Sequence, residues 1–145
     1  MNLVARLILC LSLTPGLVQT RPDFSGKWTR IPAVAGEPVQ IMTITQTPDT
    51  LTVDDGHRWV HKLDGSQSKN VMTEGNPPRE SIRVSTSKWE GDSLVTLFPD
   101  QSSPGGPSLL RVAMALEGKT LVVRITSTSQ ATGAVLREET MRYTK

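Results

Sequence analysis

A chain of 145 residues with 16 Lys and Arg against 14 Asp and Glu carries enough sequence for one domain; its charge is nearly balanced, no basic run stands out and the aromatics do not alternate with Lys or Arg, which argues against nucleic-acid binding. A single cysteine excludes any internal disulfide and any Cys-based zinc cluster or redox pair. At this size a domain buries roughly 65–70% of its unfolded surface, so a real apolar core is expected.

Residues 1–20 read as a signal peptide. Arg6 supplies a positive start, Leu7–Leu13 (LILCLSL) an apolar stretch, and Pro15 with Gly16 a helix break, with Val18 and Thr20 at the short-side-chain positions before the cut. Cleavage after Thr20 leaves a mature domain of residues 21–145, exported to a periplasm or to the extracellular space. Cys10 falls inside this segment as one of its small apolar residues. Removing Arg6 from the 16 basic residues leaves 15 against 14 acidic, a formal +1. The mature chain has no Asn-x-Ser/Thr sequon and no cysteine, whereas small secreted animal domains are commonly disulfide-stapled. This composition points to a bacterial source. No later stretch approaches the ~20 apolar residues of a membrane-spanning helix.

From residue 21 onward the pattern is β. Turn residues divide the chain into ten strands near 26–30, 39–46, 50–54, 57–63, 68–73, 80–89, 93–98, 108–117, 120–127 and 135–143. The first carries "GKW" at 26–28. The fourth carries "HRWVHKL" at 57–63, in which His57, Trp59, His61 and Leu63 share one face. The sixth ends in Lys88-Trp89 before the Glu90-Gly91 turn. The phrase "EGDSLVTL" at 90–97 returns as "EGKTLVVR" at 117–124, a tight turn followed by an outgoing strand. Alternation is clearest in Leu110, Val112, Met114 and Leu116, answered by Leu121, Val123 and Ile125. The longest loop spans Pro99–Pro107. Short connections favour pairing in sequence order, hence an all-β antiparallel up-and-down meander, closed as a barrel of about 8–10 strands so that no edge is exposed. An outer-membrane barrel is excluded: six aromatics (three Trp, two Phe, one Tyr) make no aromatic girdles, and the strands hold too much Ser, Thr and charge.

The run of "DFSGKW" (23–28), "KLDG" (62–65), "SKWEGDSLV" (87–95) and "LEGKTLVV" (116–123) resembles a lipocalin-like, calycin-type family of small exported bacterial proteins of unknown function. The resemblance implies that Trp28 plugs one end of the barrel and that a basic residue of the last strand, Arg142, lies across its ring, while Gly26 lets the chain pass close by. Fatty-acid-binding barrels fit less well. Their Arg-x-Tyr pair grips a carboxylate from inside, whereas Arg142 and Tyr143 are adjacent and point to opposite faces. Avidin-type barrels share a "GKWT" start but need more Trp than this chain holds.

Candidate chemistry is sparse. His57 and His61 lie about 13 Å apart along a strand, too far to share one zinc ion. No metal site, cofactor or catalytic residue is expected: the chain lacks a Gly-x-Ser-x-Gly elbow and a His-Glu-x-x-His helix, and Asp54-Asp55 and Glu138-Glu139 each split across faces. If the face of His57, Trp59 and His61 points inward, these residues line a cavity; if outward, they are surface residues beside Arg58 and Lys62. Trp89 is a further wall candidate. The reading carried forward is an exported, non-enzymatic protein holding an apolar or amphipathic small molecule. The alternative is a cell-envelope structural or interaction protein whose barrel is filled by its own side chains.

Overall fold

The structure, a computed structural model, describes residues 20–32, 35–101 and 105–145. The segment expected to be a signal peptide, Cys10 included, lies outside the described residues up to position 19. Among the described residues ten strands follow one another with no helix: β1 (Gly26–Ile31), β2 (Ile41–Gln46), β3 (Thr50–Asp54), β4 (Arg58–Lys62), β5 (Gln67–Glu74), β6 (Arg79–Glu90), β7 (Ser93–Asp100), β8 (Ser108–Glu117), β9 (Thr120–Ser129) and β10 (Val135–Thr144). No helix among the described residues is long and apolar enough to cross a membrane.

All ten strands form one antiparallel sheet in the order β4-β3-β2-β1-β10-β9-β8-β7-β6-β5. Each pairs with its neighbour in sequence except β4 with β5, and β1 pairs with β10. The repeated turn phrase works as its residue types require: Gly91 and Gly118 take φ of 61° and 62°, a region open to glycine at little cost. The period-2 alternation turns one face inward. Trp28, Ile44, Leu51, Leu94 and Leu121 are almost fully buried and share one core cluster. Strands from both halves of the sheet thus curl around one core, and each such Leu contributes roughly 2 kcal/mol.

The sheet is not closed by main-chain hydrogen bonds. β4 and β5 pair with β3 and β6 but not with each other. Side chains bridge them instead. Asn70 Oδ1 accepts from the Val60 amide at 2.8 Å, and Asn70 Nδ2 donates to the Val60 carbonyl at 3.1 Å. Ser68 Oγ accepts from the Lys62 amide at 2.8 Å. An amide side chain offers the same donor and acceptor as a peptide group, so Asn70 replaces a strand neighbour at Val60. Ser68, Asn70 and Met72 are the buried positions of β5. β4 therefore abuts that inward face rather than the edge of β5. Short polar side chains compete for main-chain partners in this way, and sequence-order pairing fails here for that reason.

A second parting shapes the site. β6 and β7 pair from Glu90↔Ser93 to Thr86↔Leu97 and then separate. β7 runs on against β8 alone through Pro99 and Asp100, which the sequence places in a loop. Pro99 is tolerated there because no β6 carbonyl awaits its missing N–H.

On the outer face, Val95 and Val122 are almost fully buried. Val95 pairs with Lys88 and Ala113, and Val122 with Ala115 and Arg142. Their cross-strand neighbours Lys88 and Arg142 carry long aliphatic stems suited to shielding such valines, and the charged heads form ion pairs, Glu90 with Lys88 and Arg111, Glu117 with Arg124 and Arg142.

Candidate functional site

The two ends of the curled sheet differ. At one end the segment before β1 folds across the opening. Phe24 is fully buried and stacks on Trp89, with ring centroids 5.6 Å apart. Trp28 Nε1 donates to the Phe24 carbonyl at 2.8 Å. Gln46, at the end of β2, holds the segment: its Oε1 accepts from the Phe24 amide and its Nε2 donates to the Pro22 carbonyl. This end is a packed floor.

The cation over Trp28 is Lys145, its Nζ 4.8 Å from the ring centroid. The expectation for Arg142 is thus corrected: its guanidinium bonds Glu117 on the outer face. The reason is strand parity, since positions 143 and 145 share the inward face and 142 does not. At Gly26 φ is 140°, and a Cβ there would stand 2.7 Å from Cε of the Lys145 side chain.

Above the floor lies a cavity of about 700 Å³. Its deep wall is apolar, with Met42, Met114, Val123 and Ile125 from β2, β8 and β9. One side is aromatic. The Trp59 and His61 rings lie nearly parallel, with centroids 6.4 Å apart, and Phe98 of β7 meets both edge-on at 5.7 and 5.8 Å. Such edge contacts suit the ring quadrupoles and fix the plane of the wall. Tyr143 lines the opposite side, and its burial raises the phenol above its usual range. The mouth lies where β6 leaves β7: Ile82, Arg83 and Val84 stand across from Phe98, Pro99 and Asp100.

Of the residues expected in the wall, Trp59 and His61 line this cavity. His57 does not: it precedes β4, is exposed, and donates its amide to Asp55 Oδ1. The alternation that turns Trp59 inward begins only at Arg58, where β4 starts. Trp89 lies at the floor, beside a smaller pocket of about 290 Å³ also lined by Arg21, Asp23 and Leu63. Arg21 sits over its ring at 5.5 Å. Phe98 was not singled out by sequence, although Leu94, Thr96 and Phe98 alternate into the same interior. Among the described residues no three His, Cys, Asp or Glu side chains gather as a metal site requires.

His61 is 5% exposed, and its Nδ1 lies 3.2 Å from Ser85 Oγ. Burial pushes its imidazole down to about 4, so the ring is neutral at pH 7. Folding must therefore exclude a proton that the unfolded chain, with a His value near 6.5, binds readily. Stability is full above about pH 6.5 and falls as pH drops toward 4, by roughly 3 kcal/mol if the whole shift acts on folding. Urea unfolding at half-unit pH steps should show this loss, and His61→Gln should flatten the curve across that window. An equally steep curve in the variant would assign the loss to other groups.

Ser85 is fully buried and is not part of the cavity wall. Its hydroxyl contacts the imidazole from outside the cavity lining. Neither a family model, nor a curated protein, nor a solved structure matches this chain.

Proposed function

We propose that this chain is an exported, lipocalin-like β-barrel that binds a small apolar or amphipathic molecule. The curled ten-stranded sheet acts as a closed barrel whose seam, between β4 and β5, is made by Ser68 and Asn70. The observation that carries the reading is the cavity: about 700 Å³ above a packed floor, apolar in depth, with the Trp59–His61–Phe98 group on one side. Ligand sites have this size and this mixture of apolar wall and few polar groups. A barrel filled by its own side chains would bring Leu110, Val112, Met114, Leu121, Val123 and Ile125 together in one dry core. Leu121 is fully buried in the core cluster with Met114 and Val123, while Leu110, Val112, Met114, Val123 and Ile125 also line the cavity, which supports the binding protein over the structural alternative.

Catalysis has less support. The buried Ser–His contact among the described residues puts a serine with no exposure behind the imidazole, outside the cavity lining, where its hydroxyl is poorly placed as a nucleophile.

The test uses the neutral apolar dye N-phenyl-1-naphthylamine. The protein should bind it with enhanced dye fluorescence, and Trp59→Ala should weaken binding at least about tenfold. Trp59 is only half-buried, so the variant should keep its far-ultraviolet spectrum and a cooperative melt. Unchanged dye binding in a folded Trp59→Ala protein would remove the residue from the site. Absence of dye binding by the parent would favour the filled barrel.

A further inference from the structure

We propose that the cavity admits molecules with a neutral or cationic head and discriminates against carboxylates, an inference that rests on the ligand-binding reading above. The charged groups on its wall are Asp55, Glu74, Asp100 and Arg83. Three carboxylates against one guanidinium leave a formal −2 around the mouth. Below that ring the wall is aliphatic, aromatic, thioether or hydroxyl-bearing, and it includes no Lys or Arg.

The other cations of the inward face are engaged or distant. Arg30, beside Tyr143 in the β1–β10 register, donates to Gln40 Oε1 at 2.7 Å and pairs with Glu139 at 3.6 Å. Lys145 covers Trp28 at the floor. Arg142 bonds Glu117 on the outer face.

A carboxylate carried below the mouth would lose its hydration and gain no charged partner, which is costly in an apolar interior. An alcohol or amide head loses far less, and Ser108 and Ser127 on the wall offer it hydroxyls. An ammonium head gains from the acidic mouth and, if it reaches them, from the faces of Trp59 and Phe98. Arg83 is the one group that could reverse this preference. It stands exposed on the side of the mouth formed by β6, with Glu74 on the adjoining strand.

The experiment compares three probes of one chain length, dodecyltrimethylammonium, dodecanol and dodecanoate, each below its micelle concentration. Each displaces N-phenyl-1-naphthylamine from the full chain expressed in bacteria and purified. At low salt the ammonium should bind roughly tenfold or more tightly than the carboxylate, with dodecanol also displacing the dye. The gap should narrow in about 0.5 M salt, where charges beyond a few ångströms are screened. Glu74→Gln should narrow it as well. Dodecanoate binding as tightly as the ammonium, and losing affinity in Arg83→Gln, would overturn the assignment of sign while leaving the cavity a binding site. Failure of all three probes, dodecanol included, would overturn the ligand-binding reading and this inference with it.

Discussion

Trp28→Ala should lower the stability of this protein by about 3–5 kcal/mol, the usual cost of emptying a large aromatic site in a core. Trp28 is 2% exposed, shares its cluster with Phe24, Leu51, Leu94 and Leu121, and donates its indole N–H to the Phe24 carbonyl. Removing it opens a void and frees the segment that crosses the floor. The melting temperature should fall by roughly 10 °C or more for a domain of this size. Trp28→Phe, which keeps most of the volume and loses the hydrogen bond, should cost only about 1–2 kcal/mol. Lys145→Met should cost about 0.5–1 kcal/mol through the lost cation–ring contact. Arg142→Ala should leave the melt unchanged, because its exposed ion pair with Glu117 does not reach the floor. A Trp28→Ala protein that melts with the parent, or an Arg142→Ala protein that melts well below it, would reject this account of the floor.

Asn70→Leu should destabilise by about 2–4 kcal/mol, far more than a surface Asn is worth. Its side chain satisfies both the amide and the carbonyl of Val60. A leucine there buries those main-chain groups with no partner. The readout is local as well as global. Exchange of the Val60 amide hydrogen should accelerate, while amides of the β8–β9 ladder, which Asn70 does not touch, stay protected relative to the new global stability. Ser68→Ala removes a single bond to the Lys62 amide and should cost about 1 kcal/mol. Unaltered exchange at Val60 in Asn70→Leu would show that the seam is held by something other than this side chain.

The strands were legible because their signals are local. Alternation in Leu110–Leu116 and Leu121–Ile125 needs only neighbours two apart, and Glu-Gly-Asp and Glu-Gly-Lys specify tight turns by backbone geometry alone. The observed strands accordingly begin and end within about two residues of those expected. Alternation also placed Arg142 and Tyr143 on opposite faces and Trp59 and His61 on the same one. It failed for His57 because the alternation begins at the strand, and His57 lies in the turn before it.

Contacts between distant segments were decided by the tertiary structure. Nothing in the spacing of Gln46 marks it as the anchor of Pro22 and Phe24. The composition of "SQSKN" does not announce that Ser68 and Asn70 will take the place of main-chain bonds to β4. Lys145, rather than Arg142, covers Trp28 because the register of β10 against β1 sets which cation arrives over the ring. The cavity depends on the same long-range packing. Its lining comes from every strand from β2 to β10, and its mouth opens where β6 parts from β7. Period and turn chemistry act between residues a few positions apart, so the sequence alone determined strands, faces and turns. Closure, floor and cavity arise from contacts across tens of residues, where several partners of similar chemistry compete and only the packed chain selects among them.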